Sequence, residues 1–252
     1  MSNKLAEMTT DQARDAVRLA PLVIIPVGAQ EQHGGGMAMS TDTVRATGVA
    51  DLVAGRLDGR AVIAPPVNYG VSPHHLAFAG TMTLSPATFQ SVLRELIASL
   101  HRHGWNQFLV ITGHGGNNPA LSVLAQEYVL QPDLTFAWTP ITPLVSDLIA
   151  AMEVSQVHGH AGEAETAQML YLAPELVQAD LLEPGATQLD ELTPKARLSR
   201  QAQGPRLSVG FDTYHKRGVL GDPRRATAED GRLLVETAAD RIAAFADELL
   251  TA

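Results

Sequence analysis

Three short stretches of this 252-residue chain concentrate side chains that bind divalent metals. The first is Glu31-Gln32-His33-Gly34, joined further along by Asp42. Glu31 and His33 are two apart, so on an extended segment both side chains point the same way. Gly34, Gly35 and Gly36 then allow a sharp turn that could bring Asp42 back to the same place. Two carboxylates and an imidazole suit a hard or borderline ion such as zinc, manganese or iron. The second stretch is Thr112-Gly113-His114-Gly115-Gly116-Asn117, where glycines beside a histidine let the main chain approach a ligand closely. A phosphate-cradling loop is the competing reading, but the lysine and Ser/Thr of a P-loop are missing. The third is His158-Gly159-His160-Ala161-Gly162-Glu163-Ala164-Glu165-Thr166, at the start of a predicted helix. A helix dipole accounts for one glutamate in a first turn, but not for two histidines.

A fourth stretch, Ser72-Pro73-His74-His75 before Phe78-Ala79-Gly80-Thr81, reads either as a surface loop or as a substrate contact. Adjacent histidines point in different directions on most backbones, so at most one is expected to face a site. His101 and His103 fall at a predicted helix end, where imidazolium suits the dipole, and read as structural. Trp105 and Trp138 read as core or interface residues. There is no Gly-x-Ser-x-Gly elbow, which argues against a serine hydrolase.

These residues need a scaffold, and the pattern of apolar runs supplies one. Leu22 to Val27, Ala61 to Ala64, Phe108 to Thr112 and, more weakly, Leu134 to Trp138 read as strands. Thr43 to Leu57, Pro86 to His103, Pro119 to Leu130, Ala164 to Leu172 and Asp230 to Leu250 read as helices. Ser85 is the expected N-cap of the helix that begins at Pro86. Strands alternating with helices imply a parallel sheet with helices on both faces, in one α/β domain over residues 1–252. The first two metal-binding stretches directly follow strands, where open parallel sheets hold their ligands. The polar, irregular Thr187 to Gly210 segment reads as a long loop or lid.

Composition narrows the chemistry further. With no cysteine, any metal must sit on imidazole and carboxylate. The formal charge of −9 argues against a nucleic-acid or membrane-surface partner. Met1 to Ala20 lacks the apolar run of a signal peptide, and no stretch approaches the roughly 20 apolar residues of a membrane helix. A cytoplasmic location is expected.

Taken in order, Pro26-Val27-Gly28 to Glu31-Gln32-His33-Gly34, Thr41-Asp42-Thr43, Gly113-His114-Gly115-Gly116-Asn117 and His160-Ala161-Gly162 to Glu165-Thr166 resemble the motifs of the creatininase (creatinine amidohydrolase) family. The Gly70 to Leu84 segment, with His75 and Gly80-Thr81, resembles its intermediate motif. The resemblance implies a three-layer α/β/α sandwich with a mostly parallel central sheet. It implies two divalent ions per subunit (zinc first, manganese or iron next) and a homo-oligomer, commonly a hexamer. Carried over by position, Glu31 and His114 would hold one ion, His33 the other, and Asp42 would bridge them. His160 matches a histidine near the substrate that moves protons. His75, Ser72, Gly116 and Asn117 are the implied substrate contacts.

Two departures bear on that set. A glutamate that ligates the second ion in creatininase is replaced by Gly116, so Glu165 is the expected ligand, with a part in catalysis, and Glu163 the alternative. The tryptophan that closes over creatinine falls on Gln156. The implied chemistry is hydrolysis of a cyclic amide or related small C–N bond by a water that two ions acidify. A metal-dependent peptidase trimming a short peptide is the nearest alternative. A non-catalytic module that keeps a metal as a staple is the alternative of another class.

Overall fold

In the computed structural model, the described residues are 2–152, 154–201 and 205–251. Four strands, β1 (Leu22–Val27), β2 (Ala61–Ile63), β3 (Gln107–Thr112) and β4 (Thr135–Pro140), form one sheet in the order β2-β1-β3-β4. Every pairing is parallel; Ile24 lies against Ile63 on one side and Leu109 on the other. β1 is buried along its whole length, which explains its unbroken apolar run.

The helices in chain order are α1 (Thr10–Leu19), α2 (Thr41–Arg56), α3 (Pro86–His101), α4 (Asn118–Tyr128), α5 (Ile141–Leu144), α6 (Ser146–Ala151), α7 (Glu163–Leu172), α8 (Pro194–Ser199) and α9 (Ala228–Thr251). Alternation along the strands divides the core in two. Leu22, Ile24, Leu109 and Ile111 face α2, α9 and the α5–α6 pair. Val23, Ile25, Phe108 and Val110 face α1, α3 and α4. The molecule is an α/β fold with helices on both faces of a parallel sheet, as the sequence implies.

Local chemistry starts the helices. Ser85 accepts the Thr88 N–H to cap α3, and Pro86 occupies its first position. α1 opens with a reciprocal cap between Thr9 and Gln12 that the sequence reading passed over. The Thr187 to Gly210 segment is less irregular than expected. It carries a 3-10 turn at Leu189–Glu191 and then α8, capped by Thr193. Leu192 and Ala196 pack with Val157, Ala186 and Leu220 in a separate small cluster. Residues 202–204 of that segment lie outside the described residues. No helix among the described residues is long and apolar enough to cross a membrane.

Candidate metal centre

A parallel sheet puts all its strand C-termini on one edge, and the chain leaves the adjacent β1 and β3 there. Glu31 and His33 follow β1. The loop turns at Gly34, in the left-handed region at φ 70°, and re-enters at α2, whose first turn carries Asp42. α2 can reach β3 only because residue 113 is glycine: a Cβ there would lie 2.1 Å from the Asp42 carbonyl oxygen. His114 follows directly. Glu165 comes from the first turn of α7, behind a bend where Ala161 has φ 54° and donates its N–H to Glu165 Oε2 at 2.8 Å.

The side chains converge in a buried cluster. His114 Nδ1 lies 3.2 Å from Glu31 Oε1 and 3.2 Å from Asp42 Oδ2. His33 Nε2 lies 3.5 Å from Asp42 Oδ1 and 3.7 Å from Glu165 Oε2. Asp42 therefore stands between a Glu31–His114 pair and a His33–Glu165 pair. His160 Nδ1 is 3.5 Å from Glu31 Oε1 and 4.0 Å from Glu165 Oε2. Glu31, His33 and Asp42 present ligand atoms within 4.8 Å of one another, as do His33, His160 and Glu165.

The donor set fits cations. Both Glu31 carboxylate oxygens, His33 Nε2 and Asp42 Oδ2 are buried without a hydrogen-bond partner among the described residues, an arrangement too costly to keep unless positive charge satisfies it. The outward ring nitrogens are already tied down. His33 Nδ1 meets the Glu31 carbonyl at 3.2 Å, and His114 Nε2 meets the Val71 carbonyl at 3.1 Å. Each ring thus turns its other nitrogen toward the carboxylates, where it would offer a lone pair to a bound ion and otherwise carries a proton. Burial alone would lower the His33 pKa, but Asp42, Glu165 and Glu31 outweigh it and hold it at about 9. His114 is likewise raised against burial, by Glu31 and Asp42. Asp42 is held low against its burial by His33 and His114. In effect, protons on two histidines occupy the electrostatic place of metal ions.

A cavity of about 670 Å³ opens over this cluster. His75, His160 and Phe211 pack ring to ring at its floor, with centroids 4.2 to 5.0 Å apart. The Gln32 amide nitrogen sits 3.0 Å from His75 Nδ1 and 2.9 Å from His160 Nε2. Burial and the charge on His33 push His160 down to about 3, so its imidazole is neutral. His75 is also lowered, by burial and then by His160. Ile141, Pro143, Ile149 and Val154 form an apolar wall opposite.

Several expectations need correction. Ser72 does not line the cavity; it is fully buried behind His114, its hydroxyl 3.2 Å from Nε2. Asn117 is also buried away from it. Its Oδ1 accepts the Val71 N–H and its Nδ2 donates to the Gly28 carbonyl, so it clamps the loops after β1 and before α3. Glu163 is engaged elsewhere: it accepts from the Ser155 N–H and hydroxyl and from the Asp222 N–H. His74 and His75 both line the cavity, because the Pro73–His75 3-10 turn lets neighbouring rings fan over one surface. Gly116 does line it, and a Cβ there would meet His114 Nε2 at 2.3 Å. Gln156 is exposed and accepts from the Leu189 N–H.

Arg45, Gln32 and Phe211 escaped the sequence reading. Arg45 had a signal, since it follows Asp42 by three positions and so shares its helix face. Phe211 had none, because nothing local ties it to a histidine cluster far away in the chain.

The family model for creatininase, creatinine amidohydrolase, matches residues 6–246. The mycofactocin precursor peptide peptidase of Mycolicibacterium smegmatis is 34% identical over 92% of this chain and 89% of its own. The creatinine amidohydrolase of Pseudomonas putida is 30% identical over 63% of this chain and 67% of its own. The solved structure named Creatininase Mn superposes with a TM-score of 0.79 and 26% identity, covering 98% of each chain. With the strand-end cluster, the fold and a match over nearly its whole length, this chain belongs to the creatininase family of hydrolases.

Proposed function

We propose that the protein is a two-metal peptidase that hydrolyses an amide bond in a short peptide. The expectation of a small cyclic amide gives way to the alternative for one main reason, the size of the cavity. At about 670 Å³ it is large enough for a drug-sized ligand and would leave a single-ring amide mostly uncontacted. The wall from Ile141 to Val154 suits side chains of a peptide, and Gln156 provides no aromatic lid for a small ring. Similarity favours the same choice: the likeness to a peptide peptidase spans 92% of this chain and that to a creatinine amidohydrolase 63%.

Glu31, Asp42 and His114 would hold one ion, and His33, Asp42 and Glu165 the other. When bound, divalent ions supply Lewis acidity, which acidifies a water and polarises an amide carbonyl. The chain supplies the rest. His160 keeps Nε2 on the Gln32 carbonyl at 2.7 Å, which leaves Nδ1 facing the cluster as a proton acceptor. From there it relays a proton from the attacking water to the leaving nitrogen, as a transient carrier rather than a resting base, because burial and His33 hold its pKa low. Phe211 and the apolar wall lower the polarity of the cavity beside the centre, which strengthens charge interactions there.

The test is relative kcat/KM for unstructured short peptides and for creatinine with manganese- or zinc-loaded protein. Preference for peptides by at least tenfold is expected. Efficient creatinine turnover with inert peptides would reverse the reading.

A further inference from the structure

Arg45 is fully buried beside the metal cluster, and its charged fork is committed on every side. Nη1 donates to Glu165 Oε1 at 2.7 Å and to the Gly113 carbonyl at 3.0 Å. Nε donates to Gln168 Oε1 at 2.9 Å, and Nη2 to the Thr142 hydroxyl at 2.9 Å. Nη1 also lies 3.5 Å from Asp42 Oδ1. One side chain of α2 thus holds the end of β3, the start of α5 and the first two turns of α7.

The consequence falls on Glu165. Its Oε1 is taken by Arg45, and its Oε2 accepts the Ala161 N–H while pointing toward His33. A carboxylate pinned at both oxygens has one orientation, with a single lone pair of Oε2 left for a ligand. Glu31 differs, since neither of its oxygens has a hydrogen-bond partner among the described residues. We infer that Arg45 is a positioning residue for one of the two ions only: its fork fixes Glu165 as a one-oxygen ligand of the His33–Asp42 subsite. Arg45 reaches the Glu31–His114 subsite only through the shared Asp42, and there it meets Oδ1, the oxygen turned toward His33, while Oδ2 faces His114, so that subsite keeps its own ligands when Arg45 is lost. This rests on the two-ion reading, but not on the identity of the substrate.

Equilibrium titration of the chelator-stripped full chain with Zn²⁺ against a competing chelator tests it. The wild-type chain takes up two ions. Arg45→Met leaves the first affinity unchanged and weakens the second by about 10–100-fold, the usual cost of losing a group that orients a ligand. Glu165→Ala weakens the same ion. The double variant is no worse than Glu165→Ala alone, because Arg45 acts through Glu165. If Arg45→Met does not fold, Arg45→Lys carries the same cycle, since lysine keeps the charge but not the fork. Wild-type affinity for both ions in the variant that folds would overturn the inference. So would equal weakening of both ions, or additive losses in the double variant. A wild-type chain that binds fewer than two ions would instead sink the two-ion reading itself.

Discussion

At the scale of single residues, two glutamates only two positions apart do different work. Glu165 faces the metal cluster, while Glu163 accepts three hydrogen bonds that hold Ser155 and Asp222 together. Glu163→Gln should therefore keep full metal content yet lower stability by about 1–3 kcal/mol, the cost of disturbing a buried hydrogen-bonded group. Elemental analysis and thermal melting check this, and loss of a metal would return Glu163 to the centre. The sequence left the choice open because both glutamates fall in one helical turn. Which of them faces the site depends on the bend at Ala161, and that bend has no local signature. The convergence of Glu31, His33, Asp42 and His114 was legible, because glycines and strand ends flank them. Ser72 and Asn117 were misread because polar residues in a loop can brace it as readily as face a ligand.

At the scale of elements, the centre exists because α2 and β3 touch. The Gly113 position leaves no room for a side chain, as a Cβ would also lie 3.1 Å from Asp42 Cα. Gly113→Ala should push the start of α2 off the sheet, moving Asp42 from both subsites. Expected are a stability loss of about 1–3 kcal/mol from overpacking and a fall in bound metal. A stable, fully metallated Gly113→Ala protein would show that this contact is not what sets the site. The strands and long helices were legible from apolar periodicity. α1 was missed because its face toward the sheet is narrow, with only Ala16 fully buried. α5 and α6 were missed because they are too short to show a period, yet they supply the cavity wall.

At the scale of the whole molecule, the cluster couples folding to metal and to pH. Without metal, His33 has its pKa raised from 6.5 to about 9. A raised pKa contributes stability that is fully present below about 6.5 and is lost as pH rises through about 9. A bound ion replaces that proton and removes the dependence. The melting temperature of stripped protein should therefore fall from pH 6.5 to pH 9, and the increment given by added metal should widen over the same interval. An increment that is constant or narrows with pH would contradict the electrostatic account.

The most direct test of the central claim is mass spectrometry of short peptides incubated with the protein as loaded, after chelation, and after metal is restored. The account predicts discrete cleavage products that vanish with the metal, return with it, and are absent in Glu31→Gln at every stage. Cleavage that survives chelation, or that Glu31→Gln retains, would contradict a metal centre at the ends of β1 and β3 as the seat of the reaction.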